Sequence, residues 1–98
     1  MQESRDARQE RVGRELVAAL IVAHENGSGW LEIGSYATPA TVDQVESAAY
    51  RLVEGGFVET QTLPTVTPWR RLDWRLRLSA TGRGHFIERN GTLNFVRR

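Results

Sequence analysis

The side chains with the most evident chemistry in this sequence are guanidinium groups, and they are bunched. Arg70 and Arg71 are adjacent, Arg75 and Arg77 follow at a spacing of two, and Arg83, Arg89, Arg97 and Arg98 complete the C-terminal part. A guanidinium keeps its charge throughout the physiological pH range. It presents five N–H donors in a planar fork that matches phosphate oxygens and the guanine edge. All thirteen basic residues are arginine and none is lysine. The formal net charge of +1 hides an asymmetry. Residues 1–59 hold five arginines against ten carboxylates, net −5, whereas residues 60–98 hold eight against Asp73 and Glu88, net +6. A strongly basic segment is the footprint of a nucleic-acid surface; the plain alternative is two halves that neutralise one another within one fold.

Other chemistries find little to work with. His24 and His85 stand sixty-one residues apart, and neither lies in a ligand-spaced motif. His24, near the expected end of a helix, is accounted for by the helix dipole. The absence of cysteine excludes disulfides, thiolate metal sites and cysteine nucleophiles. There is no nucleophile elbow, phosphate-cradling glycine loop or calcium loop, and Gly82-Arg83-Gly84 is too short to hold a phosphate. The expectation is a non-enzyme, with no catalytic residue, no metal and no cofactor.

The arginines need elements to carry them. Thr41 with Gln44 three residues on has the form of a capping box, and Pro39 just upstream suits a turn or a helix start. Val42, Val45, Ala49, Leu52 and Val53 recur at helical steps, which predicts a helix over 41–54 with those residues inward. Gly55-Gly56 stops it, and Phe57-Val58-Glu59-Thr60 leaves directly as a strand. Residues 61–73, with Pro64, Pro68 and three threonines, read as a long hairpin loop with Arg70 and Arg71 at its far side. Trp74-Arg75-Leu76-Arg77-Leu78 alternates strictly, apolar on one face and guanidinium on the other.

Upstream, Ser4 is placed to cap a helix running to about Glu25. Its charges alternate in sign at first, and then Val12, Leu16, Leu20 and Ala23 form a stripe with Val17 and Ile21 beside it. Asn26-Gly27 closes that helix. Its first turns, Gln2 to Arg11, carry little apolar surface and are expected to fray or to reach toward a partner subunit. Ser28 to Gly34 reads as a short strand between glycines, with Trp30 and Leu31 as core anchors. Ser35 to Ala40 leaves room for one helical turn at most. Downstream, Phe86-Ile87-Glu88-Arg89 begins a last helix closed by Asn90-Gly91, or else Asn90-Gly91 turns a hairpin into a strand over 92–96.

Ninety-eight residues without an apolar run long enough for a membrane span make one domain, expected in the cytoplasm. Within it, 1–11 is a charged helical extension, 12–89 the core and 90–98 a C-terminal tail. The fold class is α+β.

Two stretches, Ala49-Tyr50-Arg51-Leu52-Val53-Glu54-Gly55-Gly56-Phe57-Val58-Glu59 and Leu78-Ser79 with Gly82-Arg83, resemble winged helix-turn-helix regulators. The likeness is to the phenolic-acid-decarboxylase-regulator (PadR-like) and multiple-antibiotic-resistance-regulator (MarR-like) families, and it covers about Glu15 to Glu88. It implies a winged helix: a three-helix core, a small antiparallel sheet and a long β-hairpin wing. It also implies a homodimeric bacterial or phage transcription regulator that binds double-stranded DNA. Recognition helix 41–54 would enter the major groove and wing 61–73 would lie on the backbone or minor groove. The short segment before Thr41 departs from the family pattern, which has a full helix there.

On that reading the helix face comprises Thr41, Gln44, Ser47, Ala48 and Arg51, with Thr38 and Ala40 at its entry. Gln44 suits adenine, Arg51 suits guanine or phosphate, and the threonines suit phosphate. Arg70 and Arg71 would reach a phosphate or the minor groove, and Arg75 and Arg77 would track the backbone. Asp43, Glu46 and Glu54 oppose this by repelling phosphate. The competing reading is a winged-helix protein-interaction module without sequence-specific DNA binding, anchored by Tyr50 and Trp69.

Overall fold

The computed structural model describes residues 4–27, 29–62 and 74–96. Among these, three α-helices pack with a three-stranded antiparallel sheet, an α+β unit compatible with a winged-helix-like arrangement.

Helix α1 spans Arg5–Glu25, with the Ser4 side chain accepting from Ala7 N as its N-cap. Its inward stripe is Val12, Leu16, Val17 and Leu20, the set that helical periodicity selects. Gly27, at φ +86°, turns the chain out of the helix. Strand β1 is only Leu31–Glu32, because Ile33–Ser35 closes at once into a single 3₁₀ turn that buries Ile33. The space available for a second full helix is therefore filled by that one turn.

Helix α2 spans Val42–Glu54. Both halves of its capping box form: Gln44 N donates to Thr41 Oγ1 at 3.2 Å and Thr41 N donates to Gln44 Oε1 at 3.0 Å. At its other end Gly56 takes φ +73°, Gly56 N donates to Val53 O and Phe57 N donates to Leu52 O. That paired closure is a Schellman motif, and it fixes the sharp corner into β2, Val58–Thr62. Strand β3, Trp74–Leu78, pairs antiparallel with β2 from Val58↔Leu78 to Thr62↔Trp74 and with β1 through Leu31↔Leu76. The strand order is β1-β3-β2.

Helix α3, Ala80–Arg83, continues as a π turn over Gly84–Glu88 that ends with Arg89 N on Gly84 O. The helix therefore starts several residues earlier than Phe86. Its cap Ser79 accepts from Gly82 N at 3.0 Å and donates from Oγ to Gly56 O at 2.7 Å. Gly82 lies so close to Phe57 O that a Cβ has no room, and Arg83 donates to Leu78 O at 3.0 Å. The Leu78-Ser79 and Gly82-Arg83 positions thus clamp the end of β3 to the α2–β2 corner. They have a folding reason that is independent of any ligand.

The core gathers Val12, Leu16, Leu20, Ile33, Val45, Ala48, Leu52, Leu76, Leu78, Phe86 and Phe95. Three expectations are corrected by it. Ala48, expected on the outer face of α2, is fully buried, and Val42, expected inside, is 48% exposed. Val45, Ala48, Ala49 and Leu52 form an i, i+3, i+4, i+7 arc, so the inward direction is turned toward Ala48. Trp30, expected as a core anchor, faces outward. Neighbouring strand residues point to opposite faces, and pairing Leu31 with the buried Leu76 leaves Trp30 on the other side.

The third correction concerns the two ends. Residues 91–96 form no strand, yet Phe95 is buried against Gly13 of α1, where any Cβ would collide with its ring. Glu10 Oε1 accepts from Phe95 N at 2.9 Å and Val96 N at 3.2 Å, and Gln9 Nε2 donates to Gln44 O at 3.0 Å. The late turns of the expected charged extension and the expected tail are thus joined to each other and to the core.

Candidate functional site

The helix predicted to read bases sits with its assigned face largely occupied. Thr41 and Gln44 hold one another in the capping box. Thr38 Oγ1 accepts from Ala40 N at 3.1 Å, which shapes the turn into α2. Tyr36, beside it, has its phenol pKa raised above 10.0, by burial first and by the Glu15 carboxylate second, while the Thr38 hydrogen bond pulls it the other way. Ser47 is half-buried.

Arg51 turns toward the C-terminal segment, where Nη2 donates to Asn94 O and Val96 O, each at 3.5 Å. That Gln44, Ala48 and Arg51 share one stripe explains these fates, because the stripe abuts α1 and residues 94–96, which buries Ala48 and leaves Gln44 and Arg51 half-buried. Among the described residues, the charged side chains on the remaining arc of α2 are Asp43, Glu46 and Glu54. Asp43 and Glu54 are exposed and Glu46 is half-buried, so the charge this arc shows to solvent is acidic.

Tyr50, the first expected protein anchor, packs edge-on against Trp74 with ring centres 5.9 Å apart. The second, Trp69, lies outside the described residues, as do Arg70 and Arg71.

The outer face of the sheet is where the predicted guanidiniums remain at a surface. Register places Glu32 opposite Arg75, Gln61 opposite Arg75 on the other side, and Glu59 opposite Arg77. Arg75 Nε donates to Gln61 Oε1 at 2.6 Å, and Arg77 Nε donates to Glu59 Oε2 at 2.5 Å. Both guanidinium carbons lie over the Trp30 indole, 4.9 Å from its centre for Arg75 and 4.5 Å for Arg77. Stacking on an aromatic face holds a guanidinium through the ring quadrupole without using its N–H edge. The sequence contains the signal for Trp30 only indirectly: it appears once Leu31 is paired with Leu76 and the alternation is followed one residue back.

A shallow open groove of about 570 Å³ runs between Phe57 and α3, lined by Thr81, His85, Glu88 and Arg89. Its rings are already in use. His85 lies between Phe57, 4.9 Å away, and the Gly91 backbone, and its Nε2 bonds with Thr92 O at 2.8 Å. Among the described residues no group of three or more His, Asp or Glu stands together as a metal site. None of the described helices is long and apolar enough to cross a membrane. Comparison with protein-family models, curated protein sequences and solved structures finds no match to this chain.

Proposed function

We propose that this chain binds double-stranded DNA as a winged-helix domain, gripping the duplex through its phosphate backbone more than by reading bases with α2. The observation that carries this reading is the β2–β3 hairpin, whose outer face bears Arg75 and Arg77 and whose connecting residues include Arg70 and Arg71. The element order and the β1-β3-β2 sheet support it, since they set one capped helix beside one hairpin. Phosphate contacts supply most non-specific affinity, whereas base contacts supply discrimination. Base reading through Gln44 and Arg51 would require both side chains to leave partners they hold. The role of a homodimeric bacterial or phage transcription regulator remains the biological form that the family resemblance suggests.

The test is fluorescence anisotropy with random duplex DNA and with DNA from upstream of the protein's own gene, at two salt concentrations. Tight, salt-dependent binding is expected, with Arg70→Ala and Arg71→Ala each lowering the salt slope by about one. A clear preference for the upstream DNA restores base reading by α2 as part of the function. Absence of binding even at low salt overturns the proposal. Sedimentation that finds only the 11.1 kDa monomer at micromolar concentration removes the dimer.

One observation favours a second reading. The exposed carboxylates Asp43 and Glu54 on α2 suit a protein partner better than a phosphate backbone. In that case the module docks a protein, and Arg70→Ala with Arg71→Ala leaves capture of the partner intact.

A further inference from the structure

We infer that Trp30 is the positioning residue of a two-guanidinium phosphate clamp on the outer face of the sheet, and that Glu59 occupies the place of a phosphate in it. The inference rests on the duplex-binding reading and names a site within it. Arg75 and Arg77 are two residues apart on β3, so their side chains leave the same face about 7 Å apart along the strand. The Trp30 indole lies under both guanidinium carbons, at 4.9 and 4.5 Å. Gln61 and Glu59 each hold an Nε, at 2.6 and 2.5 Å. On Arg75, stacking plus the Nε anchored by Gln61 sets the plane of the fork and directs its paired Nη groups toward a phosphate. On Arg77, stacking alone sets the plane, and Glu59 takes the Nε edge that a phosphate would engage. Two long side chains ordered before binding lose less rotamer freedom when phosphate arrives.

The partners differ in kind. Gln61 is neutral and orients Arg75 without competing for an anion. Glu59 is a carboxylate on Arg77, with both side chains close to half exposed, 49% and 45%, so the pair is open to exchange. A phosphate diester offers two anionic oxygens to the same N–H edge and displaces it, while the repelled carboxylate turns to solvent. Glu32, across from Arg75, accepts from Ser35 Oγ at 3.3 Å. A single-stranded base would need the indole face that the guanidiniums cover, so the clamp fits duplex backbone better than a stacked base.

The experiment measures anisotropy of a labelled random-sequence duplex across a salt series, with a labelled single-stranded oligothymidine in parallel. Glu59→Gln is expected to tighten duplex binding about threefold or more at low salt, a gain that misfolding does not produce. Trp30→Ala is expected to weaken it about two- to fivefold, and Trp30→Phe to recover most of that loss. Arg75→Ala and Arg77→Ala should each lower the salt slope by about one. If the wild type binds duplex and all five variants match it in affinity and slope, the clamp is overturned while the duplex reading stands. If neither the wild type nor Glu59→Gln binds either strand form, both are overturned. Binding by Glu59→Gln alone supports the clamp, with Glu59 as its block. Binding of the single strand alone, lost in Trp30→Ala, overturns the clamp in favour of base stacking.

Discussion

At the seam between α1, α2 and residues 91–96, Arg51 ends on two backbone carbonyls, whereas on the outer sheet face Arg75 and Arg77 end on an indole, an amide and a carboxylate. Both regions are read from sequence as phosphate-facing arginine. They differ in what holds the arginine. The carbonyls that Arg51 meets belong to a segment anchored by buried Phe95 and by two N–H bonds to Glu10, so they stay while the fold stays. The partners of Arg75 and Arg77 are side chains at a surface, which leave by rotamer changes. Arginine in the seam joins elements together; arginine on the sheet is available for exchange.

The largest effects are expected at the seam. Phe95→Ala should destabilise the protein by about 3–5 kcal/mol in urea or thermal unfolding, as for other fully buried phenylalanines. Gly13→Ala, whose methyl group would meet the same ring, should cost less, about 1–3 kcal/mol, because the clash outweighs the helix propensity that alanine adds. A loss no larger than that of a surface substitution would mean that residues 91–96 do not close this seam. Glu10→Ala should cost about 1–3 kcal/mol, since it strips the acceptor from the part-buried Phe95 N–H, whereas Val96 N keeps Asn94 Oδ1 at 2.8 Å.

Smaller effects sharpen the contrast. Thr41→Ala should cost about 1 kcal/mol through the lost N-cap while leaving the DNA salt slope unchanged. A falling slope would return Thr41 to the phosphate-contacting set. Arg77→Ala should do the reverse, changing stability by no more than about 0.5 kcal/mol. Arg51→Ala is expected to leave the slope intact, and a slope lowered by about one would show that the seam releases it.

The smallest effect concerns pH. The folded state raises the Tyr36 pKa, so its contribution to stability is complete below the unfolded value near 10 and declines as pH rises through the folded value. Tyr36→Phe should flatten that alkaline decline in unfolding measured from pH 9 to 11.5, and an unchanged decline would exclude Tyr36 as its source.

Legibility followed the range of the interactions. The capping box at Thr41 and Gln44, the stop at Gly56, the Ser4 cap and the alternation of β3 are decided within a few residues, and each is present where its local chemistry places it. The candidate site was less legible, because a cap and a base contact draw on the same Thr41 and Gln44 side chains. Arg70, Arg71 and Trp69 stand on a connection outside the described residues. Nothing near Arg51 in sequence announces that its acceptors are Asn94 O and Val96 O, more than forty residues away. Glu10 meets Phe95 and Val96 at separations of 85 and 86 residues, which no periodicity encodes.

Local chemistry alone, then, set α1, α2, β2 and β3, the stops of the two long helices and the bias of positive charge toward the C-terminal part, because propensity, capping and alternation act over a few residues. Only the tertiary structure decided which way α2 faces, that Trp30 lies under two guanidiniums and that Arg51 is held in the seam. Those outcomes depend on strand register and on Phe95 packing against Gly13, contacts that exist only once distant segments have met.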